Sequence, residues 1–142
     1  MNINELRKNN ELVDLFCSIA GIPSPSLKEE KVIDWICNYC KSNNLPCETD
    51  DYKNIYITIP ATDKNKKPIL LSAHMDVVGD SSPVGIYLDG NLIKAKGRTL
   101  GADDKAGVAN ALYFVKELVK RSDIKHGGLE LHFTRDEENG MT

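Results

Sequence analysis

No stretch of this 142-residue chain approaches the roughly 18 apolar residues that a membrane span requires. Met1 to Asn10 is polar and mixed in charge, without the apolar core of a secretory signal, so a cytoplasmic location is expected. Charge of either sign is not in large excess: 18 basic against 21 acidic side chains leave a net charge of -3. That balance argues against nucleic acid or a membrane surface as partner. The one basic cluster, Lys64, Lys66 and Lys67, reads as a solvated turn. Gly97, Gly101 and Gly107 do not have phosphate-loop spacing, which leaves a nucleotide site without support. Internal repeats and low-complexity segments are absent as well. A second C-x-x-C pair is lacking too: of Cys17, Cys37, Cys40 and Cys47 only Cys37 and Cys40 have that spacing. They fall inside a predicted helix rather than at its N-terminus, where a thiol would be acidified, so helix packing is expected of them.

The apolar pattern predicts alternating helices and strands. Leu6, Leu12, Val13, Phe16 and Ile19 recur near helical spacing and predict one helix over 3–19, ended by Gly21 and Pro23-Ser24-Pro25. Ser26-x-x-Glu29 has the form of a capping box and predicts a second helix running to about Lys41. Residues 54–59 are rich in β-branched and aromatic residues and predict a strand. Residues 60–67 form a loop, and the apolar run 68–73 predicts a strand buried on both faces. A hairpin is expected over 84–95 around Gly90, and a long helix over 105–121 with Val108, Ala111, Leu112, Val115, Leu118 and Val119 on one stripe. After Gly127-Gly128, residues 129–133 predict another buried strand. This order points to an α/β domain with helices on a central sheet.

Three acidic segments follow a predicted strand or open a predicted helix, where an open α/β sheet places its sites. The first is His74-Met75-Asp76. A neutral imidazole is a good zinc ligand, and a carboxylate two residues on, on the same side of extended chain, is able to hold its other nitrogen. The second is Asp103-Asp104 at the start of the long helix, where a plain acidic helix N-terminus is the competing reading. The third is Asp136-Glu137-Glu138, which as an isolated segment is a solvated turn. Together they supply one imidazole and several carboxylates, the ligand set of zinc and related divalent ions. His126, in a Lys-His-Gly-Gly turn, is expected to be solvated, and His132, within a strand, to be structural.

Leu71-Ser72-Ala73-His74-Met75-Asp76-Val77-Val78, Thr99-Leu100-Gly101-Ala102-Asp103-Asp104-Lys105-Ala106-Gly107 and Phe133-Thr134-Arg135-Asp136-Glu137-Glu138-Asn139-Gly140 resemble the motifs of the dinuclear zinc exopeptidases around peptidase T. Aminoacyl-histidine dipeptidase and N-acyl amino acid amidohydrolases belong to the same superfamily. With the element order, the resemblance implies an α/β fold with helices on both faces of a central mixed, mostly parallel sheet. It implies His74 on one zinc, Asp76 orienting His74, Asp103 bridging both ions, Glu137 as general base and Glu138 on the second zinc, with a cis peptide after the bridging aspartate, at Asp103–Asp104. The cofactor would be two zinc ions per complete site, with manganese or cobalt as alternatives. The substrate would be a short peptide, tripeptides first.

The family pattern also places a further carboxylate, a final histidine and a lid domain that often dimerises beyond the third motif. The chain ends at Thr142. The expectation is therefore the N-terminal portion of a catalytic domain, inactive alone and weak in zinc binding, from a protein that forms a homodimer at full length. A non-catalytic protein-binding module of the same fold is the competing reading from another class.

Overall fold

The computed structural model describes residues 1–140. Helices α1 (Ile3–Asn9), α2 (Glu11–Ala20) and α3 (Glu30–Ser42) are followed by strands β1 (Glu48–Thr49), β2 (Ile55–Ile59), β3 (Ile69–His74), β4 (Ile86–Asp89) and β5 (Leu92–Ala95). Helix α4 (Ala102–Leu118) and strand β6 (Leu129–Thr134) complete the order. No helix among the described residues is long and apolar enough to cross a membrane.

The helix expected over 3–19 is two helices. Asn10 turns extended (φ -144°, ψ 105°), and its side chain accepts a hydrogen bond from the Val13 N–H, capping α2. A capping box between Asn2 and Glu5 opens α1. The capping box expected at Ser26 and Glu29 is not made: α3 begins at Glu30 with no side-chain cap. Both side chains are engaged elsewhere, as described below.

The main sheet has the order β1-β2-β6-β3. It is mixed: β1–β2 and β2–β6 run antiparallel, while β3–β6 is parallel. The mostly parallel character expected is thus limited to β3–β6 in this chain. β4 and β5 form the separate hairpin expected around Gly90. Register aligns Ile55 with Phe133, Ile57 with Leu131 and Ile59 with Leu129, and all six are buried on one face. Leu15 and Ile19 of α2, Ile33 and Ile36 of α3, and Val108, Leu112 and Val115 of α4 complete that core. The opposite face carries Tyr56, Thr58, Glu130 and His132, half-buried or exposed, so the described helices cover one face and not both. The run 68–73 is not buried on both faces either. β3 is an edge strand here, and Ile69 and Leu70 are 55% and 56% exposed. A continuous apolar run reports the wish for two covered faces, and this chain supplies a neighbour on one side only.

The parallel pair β3–β6 matters most for function. Parallel strands end together, so His74 is level with Thr134, and the segments that follow both strands emerge side by side.

Candidate metal centre

β3 delivers His74 at its last position, and the Met75 N–H continues the ladder to the Thr134 carbonyl at 2.8 Å. Asp76 follows, fully buried. Its Oδ1 accepts from the Glu137 N–H at 3.0 Å. Its Oδ2 accepts from the Glu138 N–H at 3.0 Å and the Ser26 hydroxyl at 2.6 Å. Burial works against the ionised carboxyl, but Ser26, the two amides and His74 outweigh it and hold Asp76 below the usual carboxylate range.

The His74 ring is set by what its Nδ1 meets. That nitrogen lies 2.8 Å from the Asp76 backbone carbonyl and 3.3 Å from Asp76 Oδ1. A carbonyl only accepts, so Nδ1 carries a hydrogen and the neutral ring keeps its lone pair on Nε2. Nε2 in turn lies 3.0 Å from Asp103 Oδ1 and 3.6 Å from Glu137 Oε2. A lone pair facing two carboxylates is repelled unless a positive charge sits among them. A proton meets that need on its own: burial opposes the charged ring, but the Asp76 carbonyl, Asp103, Asp76 and Glu137 overcome it and raise the His74 pKa. A divalent cation meets it too. His74, Glu137 and Glu138 each offer a ligand atom, and these lie within 4.8 Å of one another. The donor set therefore fits zinc or a similar ion.

Asp103 and Asp104 are separated in role at the start of α4. Gly101 takes a left-handed turn (φ +76°) against Val77, where a Cβ would meet Val77 Cγ1 at 2.8 Å. The Asp103–Asp104 peptide is cis, as the motif resemblance implied. Asp104 turns back to accept the Gly107 N–H at 3.1 Å, a helix cap, while Asp103 projects toward His74 with its side chain 86% exposed. Capping and the metal reading thus fall on neighbouring residues. Lys105 is fully buried and donates to the Ile22 carbonyl; burial, then the charge of Arg98, lowers its pKa to about 8.

The loop after β6 is anchored by residues to which the sequence assigned no role in the site. Glu29, fully buried, accepts from the Asp136 N–H at 3.1 Å, from Arg135 Nε at 2.9 Å and from the Leu27 N–H at 3.0 Å. Arg135 also donates to the Tyr52 carbonyl at 3.1 Å, and its amide donates to Asn54 Oδ1 at 3.0 Å. Asp136, buried and at φ +59°, accepts from Asn139 at 2.7 Å and from the Tyr52 hydroxyl at 3.3 Å. These contacts fix the turn that presents Glu137 and Glu138. The Ser24 hydroxyl donates to the Met75 carbonyl at 2.8 Å, which lays residues 24–29 along the site. The signal for Ser26 and Glu29 was present as Ser-x-x-Glu, a pattern whose local reading is a capping box.

The structure thus gathers His74, Asp76, Asp103, Glu137 and Glu138 at one end of the sheet. His126 and His132 stay away from it. His126 is half-buried rather than solvated, in a clasp with Thr62, and His132 stands edge-on to Tyr56 on the open sheet face.

The chain is similar in sequence and fold to known peptidases. The cytosol non-specific dipeptidase of Escherichia coli is 37% identical over 142 residues, which cover 92% of this chain and 28% of that protein. The crystal structure of aminoacylhistidine dipeptidase from Vibrio alginolyticus matches at a TM-score of 0.76 and 36% identity, over 92% of this chain and 28% of the other. Aminopeptidase PepT from Bacillus cereus matches at a TM-score of 0.82 and 28% identity, over 91% of this chain and 37% of the other. The chain thus spans between 28% and 37% of the length of these relatives. Residues 54–142, which hold all three acidic segments, match the description Peptidase family M28, and the chain belongs to that family.

Proposed function

We propose that this chain is the N-terminal portion of the catalytic domain of a metal-dependent exopeptidase that removes N-terminal residues from short peptides, tripeptides first. The observation that carries the reading is the lone pair of His74 Nε2 aimed at Asp103 and Glu137. His74 would hold one ion, Asp103 would bridge two, and Glu138 would hold the second. Zinc is preferred, with manganese or cobalt as alternatives. When bound, such ions make a water more acidic and polarise the scissile carbonyl. Glu137, 48% exposed and beside Nε2, takes the proton from the attacking water and returns it to the leaving amine. Asp76 positions the site by holding the Glu137 and Glu138 amides and the His74 side of the centre.

The full-length protein is expected to be cytoplasmic and homodimeric, and the 142-residue chain to be inactive and weak in zinc binding. A second reading, a dipeptidase that includes aminoacyl-histidine substrates, draws on the 37% and 36% identity to two dipeptidases. The test is a panel of tripeptides, dipeptides with and without C-terminal histidine, and N-acyl amino acids, given to the full-length protein with each metal. Chelator-sensitive release of N-terminal residues from tripeptides, lost in Glu137→Gln, is the expected result. Turnover limited to dipeptides favours the second reading, and turnover limited to acyl amino acids sinks both. Silence with every metal and substrate leaves a non-catalytic binding module.

A further inference from the structure

Away from the metal centre, three of the four cysteines converge, and the convergence is not the C-x-x-C pair alone. Cys37 and Cys40 stand about one turn apart on α3. The chain then reverses through a turn in which the Asn43 and Leu45 amides both bond the Cys40 carbonyl. This return brings Cys47, just ahead of β1, to a Sγ–Sγ distance of 3.7 Å from Cys37. Cys40 is fully buried beneath them. Cys37 and Cys47 are half-buried at a surface depression shared with Lys41, Leu45 and Thr49, so a small solute reaches them. All the cysteines are free thiols.

We propose that Cys37 and Cys47 are a reversible thiol–disulfide pair, oxidised by small peroxides. Packing alone accounts for a buried thiol such as Cys40 or Cys17; it does not call for two half-exposed sulfurs facing each other. The cluster also divides its protons unevenly. Hydrogen bonds from Cys40 first, and from Cys37, outweigh burial and lower Cys47 to about 6. Burial, then the charge of Cys47, pushes Cys37 up to about 12. That division suits Cys47 to attack first and Cys37 to follow.

In the first step Cys47 Sγ attacks one oxygen of hydrogen peroxide, the O–O bond breaks, and hydroxide leaves to become water on taking a proton. Cys47 is then a sulfenic acid. In the second step Cys37 gives up its proton and its Sγ attacks the Cys47 sulfur; the S–O bond breaks and water leaves. In sum, two thiols are oxidised to one disulfide and one hydrogen peroxide is reduced to two waters. A dithiol reductant reverses the change.

The test treats the reduced chain with hydrogen peroxide, blocks remaining thiols with an alkylating reagent, and maps linked peptides by mass spectrometry. A dominant Cys37–Cys47 link is expected, with Cys17 still alkylatable after unfolding and full reversal by dithiothreitol. Its rate of formation should rise with pH through about 6 and level off, as the thiolate fraction of Cys47 does. Cys40→Ser should keep the link and Cys47→Ser should abolish it. The same treatment in guanidinium should give mixed pairings. The proposal is overturned by a native pattern equal to that mixture, by a dominant Cys40–Cys47 link, by links only between chains, or by no link at all.

Discussion

The two halves of the candidate centre are built in opposite ways. On the β3 side, His74 is nearly buried and Asp76 wholly so, and every polar atom that positions them comes from the fold: the Asp76 carbonyl, Ser26 and two amides. On the other side, the Asp103 and Glu137 side chains are 86% and 48% exposed, and their oxygens approach a ring nitrogen that has nothing to donate when neutral. The first half is held by the fold's own hydrogen bonds; the second crowds exposed carboxylates around one imidazole. The exposed carboxylates are therefore the part of the site that the fold depends on least.

Substitutions should tell the two halves apart. The largest effect is expected for Glu137→Gln in the full-length protein: turnover of short peptides should fall by about 10²–10⁴-fold, as for loss of a general base, with unfolding free energy changed by less than about 0.5 kcal/mol. A matching loss of stability would break the division. Asp76→Ala should cost stability as well as turnover. It leaves the Ser26 hydroxyl and two amides without their acceptor, and each stranded group costs about 1–3 kcal/mol. A denaturant titration of the chain should show at least about 3 kcal/mol lost.

A smaller effect is expected with pH. Asp76 is held below its usual range, so its stabilisation is complete above the unfolded carboxyl pKa and is lost as pH falls through the lower folded value. His74 runs the other way: its raised pKa gives the metal-free chain stability at low pH that disappears as pH rises through the folded value. The same proton competes with an ion. Zinc affinity, read by calorimetry, should therefore drop by about tenfold per unit below that value, and His74→Ala should remove the dependence. The smallest change is expected for Asp103→Asn, within about 0.5 kcal/mol of native stability, since its carboxylate is exposed.

What the sequence made legible follows the same division. Periodicity placed the three acidic segments just past a strand or at a helix start, the motif resemblance singled out His74, Asp103, Glu137 and Glu138 within them, and the structure brings these residues together. Ser26, Glu29 and Arg135 were not, because their partners lie 50 to 107 residues away and a local pattern offered a sufficient explanation for the first two. The break at Asn10 was hidden since a single asparagine disturbs an apolar repeat little, although its extended backbone ends one helix and its side chain caps the next. The edge position of β3 was hidden for a different reason: an apolar run says that a strand can be covered, not how many neighbours this chain provides.

The anchoring of the Arg135–Glu138 turn has a consequence for the order of events during synthesis. Glu29 waits 106 residues for the Arg135 side chain, and Asp76 waits 61 and 62 residues for the Glu137 and Glu138 amides. Closure over such separations is slow, and it follows the local helices and the β4–β5 hairpin. As the ribosome releases the chain, His74 and Asp103 emerge well before the turn able to complete their surroundings. Assembly of these surroundings thus reports that β6 has docked, and a half-folded chain leaves the same side chains scattered.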